Sequence, residues 1–219
     1  MEPKRRAILA ASMLAVLSST GVAVYAQSTG HEIKIPAPAL TVAQVSSAQR
    51  DLWIDHIFWV RNVVLETYAG NTTAAVAAEN AVVTNAKAIA ASIEPFYGKA
   101  ASKKLFGLLA GHYGAIKHYL EATEVESRTK QDAAVKDATA NAGEIATFLS
   151  GANPYLPLET LRGLLLAHFG YHVHQIRQLY DKKFPQEAQT WEAMKAQVYT
   201  IADALAGSLA KQFPAKFSK

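Results

Sequence analysis

The sequence predicts an all-α protein, a six-helix bundle built from three tandem helical hairpins related by a pseudo-threefold internal repeat. Three observations predict it. Beyond residue 40 the chain is rich in Ala, Leu, Lys, Glu and Gln, with apolar residues at helical spacing and no alternating strand pattern. Turn signals at Gly70-Asn71, Pro95, Asn153-Pro154 and Pro185 divide that stretch into six pieces. His56, His112 and His168 recur at a constant spacing of 56 residues.

The first element reads as a signal peptide over 1–26. Lys4, Arg5 and Arg6 form a basic start, residues 7–24 are uncharged and apolar or small, and Val24-Tyr25-Ala26 offers a small-residue cleavage site, so the mature chain begins at Gln27. Export places the protein in the periplasm or outside the cell by the Sec route; Arg5-Arg6-Ala7-Ile8-Leu9 also fits a twin-arginine signal loosely. The competing reading is an uncleaved membrane anchor, which Ser18, Ser19, Thr20 and Gly21 weaken. After cleavage no membrane span is expected. Loss of Glu2, Lys4, Arg5 and Arg6 lowers the formal charge from +4 to about +2, which does not imply nucleic acid. The absence of cysteine excludes lipoprotein attachment, disulfides, thiolate metal ligands and thiol catalysis.

Residues 27–40, with Pro36 and Pro38, read as a flexible lead-in, and 41–219 as a single helical-bundle domain with repeats at about 41–96, 97–152 and 153–212. The expected helices are 42–69, 72–94, 98–124, 127–150, 158–182 and 185–212. Leu52, Leu108 and Leu164 each precede a repeated histidine by four residues. In the second helices the same offset aligns Ile89-Ala90 with Ile145-Ala146 and Ile201-Ala202, and Asn85 with Asn141 and Gln197.

The histidines lie on apolar stripes, where an unpaired polar group costs about 1–3 kcal/mol. Antiparallel helices place residues equidistant from their turn side by side. The midpoints between His56 and Asn85, His112 and Asn141, and His168 and Gln197 all fall at expected turns. Each amide is therefore placed to accept a proton from one ring nitrogen and aim the other inward. In one reading these pairs only fix packing. In the other, three hairpins close around an axis and His56, His112 and His168 converge on a divalent transition metal: zinc, copper, nickel or iron. Ring nitrogens about 3–4 Å apart favour convergence on one ion, whereas an open row of hairpins spaces them by about 10 Å.

His172, one turn beyond His168, is a candidate fourth ligand, and Glu144, three residues after Asn141, a candidate outer carboxylate. Arg61 and Lys117, five residues after their histidines, are either solvated or placed for an anion. Asp55 should face elsewhere, and His31, His118 and His174 lack repeat partners.

Several stretches also carry a family resemblance. They are Leu52-Trp53-x-x-His56-x-x-Trp59-x-Arg61, Pro95-Phe96-Tyr97-Gly98, Leu108-Leu109-x-x-His112, Asn141-Ala142-x-Glu144-Ile145-Ala146-x-Phe148-Leu149-Ser150, Asn153-Pro154-Tyr155 and His168. The chain resembles a family of largely uncharacterised bacterial helical proteins, departing from its pattern in having Val60 where threonine is usual. The resemblance implies that the three histidines matter and implies no particular activity. Enzyme names attached to that family, such as glycosyltransferase or acetylglutamate kinase, find no Gly-rich phosphate loop or α/β pattern in this chain.

A nucleophile elbow, paired Glu-x-x-His motifs and a Cys-x-x-Cys-His haem motif are likewise missing from the sequence. The expected function is binding, transport or sensing of a metal ion. The alternatives are a structural or interaction protein with an unidentified protein partner, or a metal-dependent hydrolytic or redox enzyme.

Overall fold

A computed structural model describes residues 40–218. The signal segment, most of the lead-in and His31 lie outside the described residues. Within them the chain is helical: α1 (Val42–Tyr68), α2 (Thr72–Ser92), α3 (Glu94–Glu124), α4 (Arg128–Ala152), α5 (Leu158–Tyr180) and α6 (Phe184–Gln212), followed by the short 3₁₀ turn Pro214–Lys216. None of these helices is long and apolar enough to cross a membrane.

The helix boundaries follow from local chemistry. Thr41 caps α1 in a reciprocal capping box with Gln44, and Asn71 caps α2 by accepting from the Ala74 amide. Pro95 and Pro185 sit in the first turns of α3 and α6, where their missing N–H costs nothing. The spacing predicts that the third helix begins at 98, whereas α3 has an additional turn, Glu94–Tyr97, before a break at Gly98 (φ 81°). A positive φ is tolerated there because glycine has no Cβ.

The turns after α1, α3 and α5 share one hydrogen-bond pattern. At the first, the Gly70 N–H donates to Thr67 O and the Asn71 N–H to Glu66 O; the same steps recur from Glu126 to Thr123 and Ser127 to Ala122, and from Lys182 to Leu179 and Lys183 to Gln178. This is the Schellman ending, which needs a left-handed residue at its corner. Gly70 supplies it at φ 72°, while Glu126 and Lys182 adopt it at 53° and 58° despite carrying side chains.

Each helix packs on its neighbours in sequence, α6 returns to α1, and α5 also touches α1 and α3. The buried faces of α2, α4 and α6 rely heavily on alanine (Ala78, Ala86 and Ala90; Ala134, Ala138, Ala142 and Ala146; Ala202 and Ala206), which allows close helix approach. Ile57, Ile116, Ile145, Ile176 and Ile201 fill the interior. At the far end Leu40 pairs with Phe217 in an isolated parallel bridge, and Phe96 packs against Phe213 and Phe217.

Candidate metal centre

His56 projects from the buried stripe of α1, His112 from that of α3, and His168 and His172 from that of α5. Their exposures are 4%, 3%, 0% and 2%, at the same depth as the isoleucines around them. Each histidine offers a ring nitrogen, and these four atoms all lie within 4.8 Å of one another. The Nε2 atoms of His168 and His172 are 3.3 Å apart, the two rings being one helical turn apart on one face. Four nitrogens about 2.0–2.1 Å from a tetrahedral ion stand about 3.3 Å from each other.

The rings surround a point instead of lying in a plane. Their centroid separations run from 4.7 Å (His168–His172) to 6.4 Å (His112–His172). In a square the two longest separations are diagonals and share no corner. Here the two longest, 6.4 and 6.2 Å, share His112. The arrangement is a distorted tetrahedron.

Burial holds all four rings neutral. It pushes His56 down to about 3, with the nearby His112 adding to the effect, and His112 down to about 4. His168 and His172 are driven well below the ordinary histidine range, first by burial and then by the neighbouring imidazoles. A neutral imidazole keeps the lone pair that a metal needs.

Behind the rings, the three amides make one repeated contact. The Asn85 Nδ2 donates to Leu52 O at 2.9 Å, the Asn141 Nδ2 to Leu108 O at 3.0 Å, and the Gln197 Nε2 to Leu164 O at 2.8 Å. The sequence places each amide beside its histidine as an acceptor; in the structure its NH₂ is anchored on the carbonyl one turn earlier, which leaves the amide oxygen as the free acceptor. The amide oxygens of Asn85, Asn141 and Gln197 are buried without a hydrogen-bond partner, as are both ring nitrogens of His56 and His112 and the Nδ1 of His168. At His168 the Gln197 amide favours the protonated ring, partly opposing the burial. The close approach in the second pair depends on Gly111, where a Cβ would sit 2.9 Å from the Asn141 Nδ2.

Trp53 closes one side of the cluster, its ring edge-on to His56 and His168 at 5.9 and 5.8 Å. Below the cluster Trp53, Leu109 and Leu165, each three residues before a repeated histidine, line an almost wholly apolar cavity of about 30 Å³.

The remaining polar residues singled out in the sequence lie elsewhere. Glu144, Asp55, His118 and His174 are exposed and do not join the group. Glu144 follows Asn141 by three residues, and on α4 that step leads from the buried face to the solvent face. Arg61 and Lys117 are already paired with carboxylates and hold no anion site: Arg61 grips Glu187 through two 2.7 Å bonds, and Lys117 binds Glu79 at 2.7 Å. Buried Glu187 also accepts from the Gln175 Nε2 at 3.1 Å, and Arg61 stacks over Trp191. No spacing rule links Gln175 or Glu187 to Arg61, because their meeting depends on how α1, α5 and α6 pack. Compared with protein-family models, curated proteins and solved structures, the chain matches none.

Proposed function

We propose that this is an exported, periplasmic or secreted metal-binding bundle whose centre is His56, His112 and His168, completed by His172. One observation carries the reading: four buried histidines present ring nitrogens within 4.8 Å of one another. Five ring nitrogens of these histidines, both of His56, both of His112 and the Nδ1 of His168, have no protein partner. Leaving a buried polar atom unpaired costs about 1–3 kcal/mol, against about 5–15 kcal/mol for the whole stability of a domain. Five unpaired ring nitrogens and three unpaired amide oxygens in one layer are therefore expensive as packing alone. A metal on the inner nitrogens, with Nδ1–H turned toward Asn85, Asn141 and Gln197, relieves both sets.

The same reading takes the chain as three repeated hairpins about a pseudo-threefold axis. It is supported by the three Schellman endings and by the three amide contacts, each spanning 33 residues. Four protein donors leave a tetrahedral ion without an open position, which favours binding, storage or sensing over metal-assisted hydrolysis.

The test is metal analysis of full-length protein purified without a polyhistidine tag, beside a His56→Ala/His112→Ala/His168→Ala variant shown to be helical by circular dichroism. The expected result is one transition-metal ion per chain in the parent and none in the variant. Equal and negligible metal in both, after incubation with zinc and copper, removes the reading.

A further inference from the structure

The cage differs from an ordinary closed zinc site in its charge. Among the described residues the group consists of four imidazoles, with no carboxylate among its members. Glu187, the buried acid of α6, is committed to Arg61 and Gln175, and Glu144 is exposed. Behind the rings stand the uncharged amides of Asn85, Asn141 and Gln197, and the remaining surroundings are apolar or aromatic: Trp53, Phe169 and the isoleucines and valines of the core. An ion seated there keeps its whole charge in a low-dielectric interior. The cost of burying a charge rises with its square, so a divalent ion meets four times the penalty of a monovalent one. Thiolate and carboxylate ligands normally offset that charge in divalent sites.

Geometry acts in the same direction. Cupric ions favour square or tetragonal surroundings, and the two longest ring separations, both at His112, exclude a square. Imidazole is an accepted ligand for copper and for zinc, so ligand type alone does not separate them. Charge separates cuprous copper from zinc, and shape separates cuprous from cupric copper.

We propose that the ion selected by His56, His112, His168 and His172 is cuprous copper, held as a closed, four-nitrogen, tetrahedral monovalent site. This rests on the metal-binding reading above and adds the identity and charge of the ion. His172 is the ligand that closes the site. The two corresponding positions of the repeat are Val60 and Ile116, so without His172 the cage is a three-nitrogen site with an apolar cap.

The test titrates the untagged full-length protein anaerobically with cuprous ion, supplied as its acetonitrile complex, and separately with zinc, each in competition with a chromophoric chelator. X-ray absorption follows on the copper-loaded sample. The expected results are one cuprous ion per chain with four nitrogen neighbours at about 2 Å, and retention of that ion in a large molar excess of zinc. His172→Val, the residue of the first repeat, is expected to weaken cuprous binding roughly tenfold or more while the helical content is kept. Zinc binding at one ion per chain that copper does not displace overturns the cuprous assignment and leaves the metal site standing. Binding of neither ion overturns both.

Discussion

Two adjacent layers of the core are built from equivalent positions on the same three helices and are opposite in chemistry. Trp53, Leu109 and Leu165 form the lower layer around an apolar cavity of about 30 Å³. Three residues further along each helix, His56, His112 and His168 form the upper one, with His172 beside them. The lower layer behaves as core should. Each buried leucine contributes about 1.5–3 kcal/mol, and the void they line is small and apolar. The upper layer is just as deeply buried, yet its nitrogens and the amide oxygens behind them are largely unpaired. A fold needing only stability would repeat the lower layer at the upper level, and it is this difference that the proposed metal site accounts for.

Substitutions that exchange the characters of the layers test this, beginning with the largest effect. Leu165→Ala in the lower layer is expected to destabilise the protein by about 2–5 kcal/mol, measured by urea unfolding, with metal stoichiometry unchanged in the folded fraction. His112→Leu in the upper layer should reverse the pattern: metal binding is lost, and the metal-free protein gains about 1–3 kcal/mol because unpaired ring nitrogens are replaced by carbon. A metal-free His112→Leu protein that is much less stable than the parent would mean that the histidines are structural.

Acid should unfold the metal-free protein through the upper layer. The folded values near 3 for His56 and 4 for His112 lie below the free histidine value of about 6.5. The unfolded chain therefore binds more protons. Stability is full above about pH 6.5 and falls by about 1.4 kcal/mol per pH unit for each such histidine as the pH drops toward 4. Thermal melts at pH 7, 6 and 5 measure this slope, and a melting temperature independent of pH across that range contradicts it. The smallest effect lies outside both layers. Glu126→Gly and Lys182→Gly relieve left-handed corners and should each stabilise by about 1 kcal/mol, with metal binding untouched; Gly70→Ala should do the opposite.

What was legible in the sequence was whatever depends on local rules. Helix ends followed from Gly70-Asn71, Pro95, Asn153-Pro154 and Pro185, and the expected spans differ from α1–α6 by a few residues except at the added turn before Gly98. The histidine spacing identified three of the clustered rings, because His56, His112 and His168 stand equally far before the left-handed corners at Gly70, Glu126 and Lys182 that end their helices. His172 stood out only through its position one turn from His168, since the repeat gives it no counterpart. The amides were legible as neighbours of the histidines, but their anchorage was not: nothing in the spacing shows that the Asn141 NH₂ is held by the Leu108 carbonyl. The Arg61–Glu187–Gln175 cluster was not legible, because Arg61 on α1 meets Glu187 on α6 across 126 residues.

The central claim is that the upper layer is a ligand set. X-ray absorption on protein loaded with one equivalent of metal tests it most directly, because it reads the ion's neighbours. The account predicts a shell of four nitrogens at about 2 Å with the outer-shell scattering of imidazole rings, lost in the His56→Ala/His112→Ala/His168→Ala variant. A shell dominated by oxygen, or an imidazole signal that survives in that variant, would contradict it.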